Sequence, residues 1–108
     1  MARTALGAKA EDVVILDLRK LSFSFDFFVL ASASSDRRIG TVAEDIEEEL
    51  HSSGVTPGHL EGQREGGWVL LDYGFVVAHI FDPEVRRFYG LERLWADAPR
   101  VSWRPPRP

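Results

Sequence analysis

Residues 64–81 read R-E-G-G-W-V-L-L-D-Y-G-F-V-V-A-H-I-F, two apolar runs of strand length joined across a tight Tyr73-Gly74 corner. Runs of β-branched and aromatic residues bounded by glycine and charge form strands, and so short a corner folds them back as a hairpin. The segments before this hairpin supply scaffold. The helix opened after it by Asp82 and Pro83 acts as a clamp on its end.

Residues 1–10 are alanine-rich and too short for a helix that stands alone, so they form one or two turns docked on the sheet. Asp12 leads into Val13-Val14-Ile15-Leu16-Asp17-Leu18, a buried strand bounded by charge. After a connection over 20–25, residues 26–33 (D-F-F-V-L-A-S-A) form a second strand, apolar on both faces as in a sheet covered by helices. Ser34 or Ser35 caps the next helix, with Asp36 favourable at its positive end. Ile39, Val42, Ala43, Ile46 and Leu50 recur at helical spacing on its core side, while Glu44, Asp45, Glu47, Glu48 and Glu49 face water. Gly54 stops this helix.

Residues 55–60 hold Pro57, flanked by Gly54 and Gly58, and form a loop. Leu60 to Arg64 is a short edge strand, and Glu65-Gly66-Gly67 turns into the strand Trp68–Asp72. The chain returns as Phe75–Phe81. Asp82 then caps a helix with Pro83 at its first position, placing Val85, Phe88, Leu91 and Leu94 or Trp95 against the core. The predicted fold is α/β: a mixed five-stranded sheet with packed helices, in the order α-β-β-α-β-β-β-α. Residues 1–100 form one domain and 101–108 an Arg/Pro-rich tail, of which 104–108 (R-P-P-R-P) is disordered because its prolines have no apolar neighbours to bury.

With 108 residues, 44% of them hydrophobic, the chain can bury one core without staples. It has no cysteine, which excludes a disulfide framework, thiolate metal sites and a cysteine nucleophile, and fits a reducing, cytoplasmic setting. Neither a secretory leader nor a membrane span is expected. A formal charge of −4 disfavours nucleic acid, whose binding runs on clustered Lys and Arg, and favours a basic partner protein.

A catalytic role would have to begin with the strand-end carboxylates Asp17, Asp26, Asp72 and Asp82, the kind of groups that hold magnesium and phosphate in α/β enzymes. No two are spaced as D-x-D, and no glycine-rich phosphate loop is present, so the expectation is no enzyme, no catalytic residue, no cofactor and no metal. A nucleotidyltransferase or nucleotide-binding domain is the alternative. His51 and His59 are expected to face solvent, whereas His79 lies within an apolar strand and needs a hydrogen-bond partner if buried. The carboxylates at 44–49 are a solvated helix face or a steering surface for a basic partner.

Period-two alternation puts Trp68, Leu70 and Asp72 on one face of their strand. If helices cover both sheet faces, these residues are core with an acidic end. If one face is open, they have the composition of a protein-binding hot spot.

The segments E-D-V-V-I-L-D-L (11–18), D-F-F-V-L-A-S-A-S-S-D-R (26–37), E-G-Q-R-E-G-G-W-V-L-L-D-Y-G (61–74), V-V-A-H-I-F (76–81) and E-V-R-R-F-Y-G-L-E-R-L-W-A-D-A-P (84–99) resemble the ribosomal silencing factor family, RsfS or Iojap-like, over roughly residues 9–100. The resemblance implies a nucleotidyltransferase-like fold without its catalytic site. It further implies a translation repressor that binds ribosomal protein L-fourteen on the large subunit and blocks the small subunit when nutrients are short, and homodimers are known in the family. It implies Trp68, Leu70, Asp72 and Tyr73 as the partner-facing hairpin, with His79 and Arg86 as further candidates. Phe75 stands where the family usually has an acidic residue, and the N-terminal helix is short.

Overall fold

The computed structural model describes residues 1–101, the side chains of Gln63 and Arg64 excepted. The four apolar runs become the strands β1 (Glu11–Asp17), β2 (Phe27–Ser32), β4 (Trp68–Asp72) and β5 (Val76–Phe81), and the polar edge strand expected from Leu60 forms one residue earlier as β3 (His59–Gln63). They form one sheet in the order β1-β2-β5-β4-β3. β2 and β5 run parallel, and every other neighbouring pair is antiparallel. Parallel neighbours need a long crossover. Here it consists of α2 (Asp36–Ser52) followed by β3 and β4, so the mixed sheet expected from the alternation of elements is the one that forms.

One face of the sheet is covered by α1 (Ala2–Gly7) and α2. Ser35 caps α2, its side-chain oxygen accepting from the Arg38 amide at 3.1 Å. Ile39, Val42, Ala43 and Ile46 are buried, and Leu50 packs partly buried beside them. They meet Val29, Ala31, Leu71, Ala78 and Ile80 from the sheet. Burying each large aliphatic side chain contributes about 1.5–3 kcal/mol, so this stripe accounts for the helix far better than intrinsic propensity does. Thr4 donates to Glu49, fastening α1 to the end of α2.

The opposite face carries a smaller cluster of Leu16, Leu18, Phe28, Leu30, Val77, Phe81 and Ala98. Its cover is α3 (Pro83–Tyr89), α4 (Leu91–Leu94) and the stretch that follows them. That stretch runs antiparallel beside β1: the Asp17 amide donates to the Pro99 carbonyl at 2.8 Å and the Val101 amide to the Ile15 carbonyl at 2.9 Å.

The single helix expected after Pro83 is thus two, and this corrects the predicted core positions. Val85, Leu91 and Trp95 do pack on the cluster. Phe88 and Leu94 are 83% and 71% exposed. Gly90 takes the left-handed conformation (φ 60°) and ends α3 after two turns, so α4 restarts on a new axis and the apolar spacing does not carry across the break. The tail expected from Arg104 onward lies outside the described residues. Among the described residues no helix is long and apolar enough to cross a membrane.

Candidate functional site

Antiparallel partners share a face, so the pairs Trp68–Phe81, Leu70–His79 and Asp72–Val77 align these six residues on the side away from α2. β3 extends the same face, with Glu61 opposite Leu70 and His59 opposite Asp72. Val85, Leu91 and Trp95 cover its centre. Towards β3 the cover stops, and Trp68, Leu70 and Asp72 stay half-buried. The face therefore meets neither expectation outright: its β2 side is core and its β3 side is open.

Aromatic rings run across this face without a gap. Phe28 lies 4.6 Å from His79, centroid to centroid, and His79 stacks 5.8 Å from Phe81 with the planes 6° apart. Trp68 stacks on Phe81 at 5.0 Å and meets Tyr89 at 4.7 Å, and Tyr89 meets Phe88 edge-on at 5.3 Å. Leu70, Trp68, Tyr89 and Phe88 thus form one apolar surface that begins in core and ends in water. Large aromatics of this kind, desolvated on one side and open on the other, are the usual anchors of a protein interface.

His79 is 3% exposed, and its Nδ1 accepts from the Trp68 indole N–H at 3.2 Å. This is the partner that a histidine inside an apolar strand requires. Because Nδ1 accepts, the ring hydrogen sits on Nε2, which is buried without a partner among the described residues. Burial holds the imidazole pKa down to about 4, the negative charge of Asp72 opposing the shift. The ring is therefore neutral at physiological pH and orients Trp68 rather than carrying charge.

Asp72 accepts from the Gly74 amide at 2.8 Å, closing the β4–β5 turn. Gly74 takes φ 89°, a conformation that favours glycine. Tyr73 does not join its neighbours: it points to the α2 side and is buried, and burial pushes its hydroxyl pKa up. Arg86 is also largely buried. Its guanidinium donates to the Asp12 carbonyl and the Ser32 hydroxyl, each at 2.8 Å, and pairs with Glu92 at 2.8 Å. Of the six candidates, Trp68, Leu70 and Asp72 reach the open face, while His79, Arg86 and Tyr73 lie beneath or behind it.

Of the strand-end carboxylates, Asp17 and Asp26 lie beside each other where β1 meets β2, whereas Asp82 stands at the opposite end of the sheet. Asp17 forms a two-point pair with Arg19, which holds its pKa down to about 2, and Asp82 caps α3 through the Glu84 amide at 3.0 Å. Among the described residues no three His, Cys, Asp or Glu side chains are placed to share a metal ion.

Phe88, expected in the core, belongs to the open face, together with Tyr89 and Glu61, for which no role was expected from sequence. A signal existed for the first two, because a helix of two turns ending at Gly90 has one narrow core-facing stripe, and Val85 already occupies it. For Glu61 the β3–β4 register was needed.

The family model described as "Ribosomal silencing factor during starvation" matches residues 1–107. The ribosomal silencing factor RsfS of Bacillus subtilis (strain 168) is 37% identical over 91 residues, covering 84% of this chain and 77% of that one. A solved structure from Chromobacterium violaceum superposes with a TM-score of 0.82 at 32% identity, covering 95% of this chain and 82% of the other. One from Bacillus halodurans gives 0.80 at 33% identity, covering 93% and 90%.

Proposed function

This chain belongs to the ribosomal silencing factor family, and we propose that it represses translation by docking on the large ribosomal subunit through the open β3–β4–β5 face. Its partner there is ribosomal protein L-fourteen, and the bound protein blocks joining of the small subunit in the cytoplasm when nutrients are short. The supporting observation is the continuous apolar surface of half-buried Leu70 and Trp68 and exposed Tyr89 and Phe88, with Asp72 at its rim, on a chain whose net charge is −4. Apolar anchors bounded by acid suit a basic protein surface.

In this proposal Trp68, Leu70 and Asp72 touch the partner. His79 orients Trp68 from below, Arg86 holds α3 and its aromatics in place, and Tyr73 anchors the hairpin on the α2 side. The mechanism is steric, with no reaction and no cofactor.

The test is sedimentation with purified ribosomal subunits. The protein should move with large subunits and, when small subunits are then added, reduce the joined peak in proportion to its occupancy. Asp72→Asn keeps an oxygen for the Gly74 amide while removing the charge. It should weaken binding about tenfold, the loss of roughly one charged hydrogen bond, with the circular dichroism spectrum unchanged. Binding that leaves subunit joining unaffected would refute the occlusion mechanism.

A further inference from the structure

Beside the aromatic surface lies a groove of about 120 Å³ lined by Glu61, Gly62, Trp68 and Leu70. Small-molecule sites usually hold roughly 300–1,000 Å³, so this groove has room for one extended side chain and little more. Leu70 and Trp68 give it apolar walls, and Glu61, opposite Leu70 on the same face, lines it with a side chain that is 63% exposed. Gly62 shapes the wall: it takes φ 83°, and a Cβ there would come within 2.1 Å of the Trp68 carbonyl oxygen. The close approach of β3 to β4 that defines the groove therefore excludes any other residue at this position.

We propose that this groove is a socket for one lysine side chain of the partner protein, its methylene stem along Leu70 and Trp68 and its ammonium on Glu61. The inference rests on the docking face proposed above and names the residue that selects the partner there. An apolar trough ending in an acid matches a side chain that buries its stem and keeps its charged head near water. Lysine fits better than arginine for a geometric reason. The Oε1 of Glu61 is already bonded to His59 Nε2 at 2.8 Å, so a side-on approach to both oxygens competes with His59 while Oε2 remains open to a single donor. A single acceptor satisfies a point-charge ammonium, whereas the planar guanidinium gains most from two. Asp72, with one oxygen held by the Gly74 amide, sits further along the rim, and Glu61 is the carboxylate at the groove itself.

The experiment compares wild type, Glu61→Gln and Glu48→Gln for binding to purified large subunits over a salt series. Both substitutions remove one negative charge, but Glu48 lies on α2, which covers the opposite sheet face. Glu61→Gln should weaken binding about tenfold and flatten the salt dependence, while Glu48→Gln changes affinity less than twofold. On the wild-type complex, carbodiimide coupling, which condenses a carboxylate with an amine in direct contact, should yield a Glu61–lysine amide found by mass spectrometry. Equal behaviour of the two variants, or coupling through other carboxylates with Glu61 left unlinked, overturns the socket while leaving the docking face standing. A wild-type protein that stays in the supernatant overturns the docking face, and the socket with it.

Discussion

His79 shows how one buried side chain ties the stability of this fold to pH. Its pKa is lowered from 6.5 to about 4 in the folded chain, so between those values the unfolded state binds the proton and the native state does not. Stability therefore falls as pH drops from 6.5 towards 4 and is flat, as far as this group is concerned, above 6.5. The full effect is about 3 kcal/mol. Urea midpoints measured from pH 7 to pH 4.5 should decline for wild type, and His79→Leu should remove most of that slope. A variant that keeps the full slope would show that other groups carry it. Gly67 offers a second test: at φ 76°, a Cβ there would approach Val85 Cγ2 to 2.8 Å. Gly67→Ala should lower stability by about 2 kcal/mol, from backbone strain and the displaced α3 contact together, read as a loss in melting temperature. The need for a partner on His79 was legible from its place in an apolar strand. That the partner is Trp68 was not, because it depends on which residues face each other across β4 and β5.

Among the elements, α3 and α4 hold the most structure in the fewest residues. No residue of either helix is fully buried, so apolar contact alone does not explain their position. Arg86 supplies the rest, reaching from α3 to the Asp12 carbonyl, the Ser32 hydroxyl and Glu92, while Arg100 approaches Glu92 from the other side at 3.3 Å. Arg86→Met keeps the stem and removes these bonds, leaving buried Ser32 without its donor. The expected cost is about 3 kcal/mol in urea unfolding, with easier proteolysis between residues 82 and 101. Large-subunit binding should weaken in the same variant, because Tyr89 and Phe88 ride on this helix. Both caps were legible in sequence: Ser35 before α2, and Asp82 with Pro83 before α3. The break at Gly90 turns Phe88, expected in the core, out to solvent, and of the alternatives Leu94 and Trp95 it is Trp95 that packs.

Across the whole molecule, charge and apolar surface are segregated. α2 covers one sheet face with its apolar side and turns its carboxylates outward, and the aromatic surface opens on the other face. A net charge of −4 steers the chain towards a basic surface at long range, while the aromatic anchors act only on contact. Raising salt from about 50 to about 500 mM, where screening shortens from roughly 14 Å to 4 Å, should slow association with large subunits by tenfold or more. Dissociation should change far less. Stopped-flow measurement of a labelled protein separates the two, and an association rate indifferent to salt would remove charge from the docking model.

Local chemistry was enough to determine the strands, α2 and their order, though not the division of the last helix into α3 and α4. Alternation and apolar runs define strands, helical spacing defines α2, and caps and glycines mark most of the ends, because each of these signals acts within a few residues of itself. The acidic balance and the absence of clustered carboxylate spacing likewise needed no coordinates. What the tertiary structure decided is where the cover ends. Whether Trp68, Leu70 and Asp72 would be core or surface depended on how far α3, α4 and the strand-like stretch beside β1 reach across the sheet. The placing of Glu61 beside the groove depended on the β3–β4 register. Both are distances between segments remote along the chain, and no pattern read along a single strand contains them.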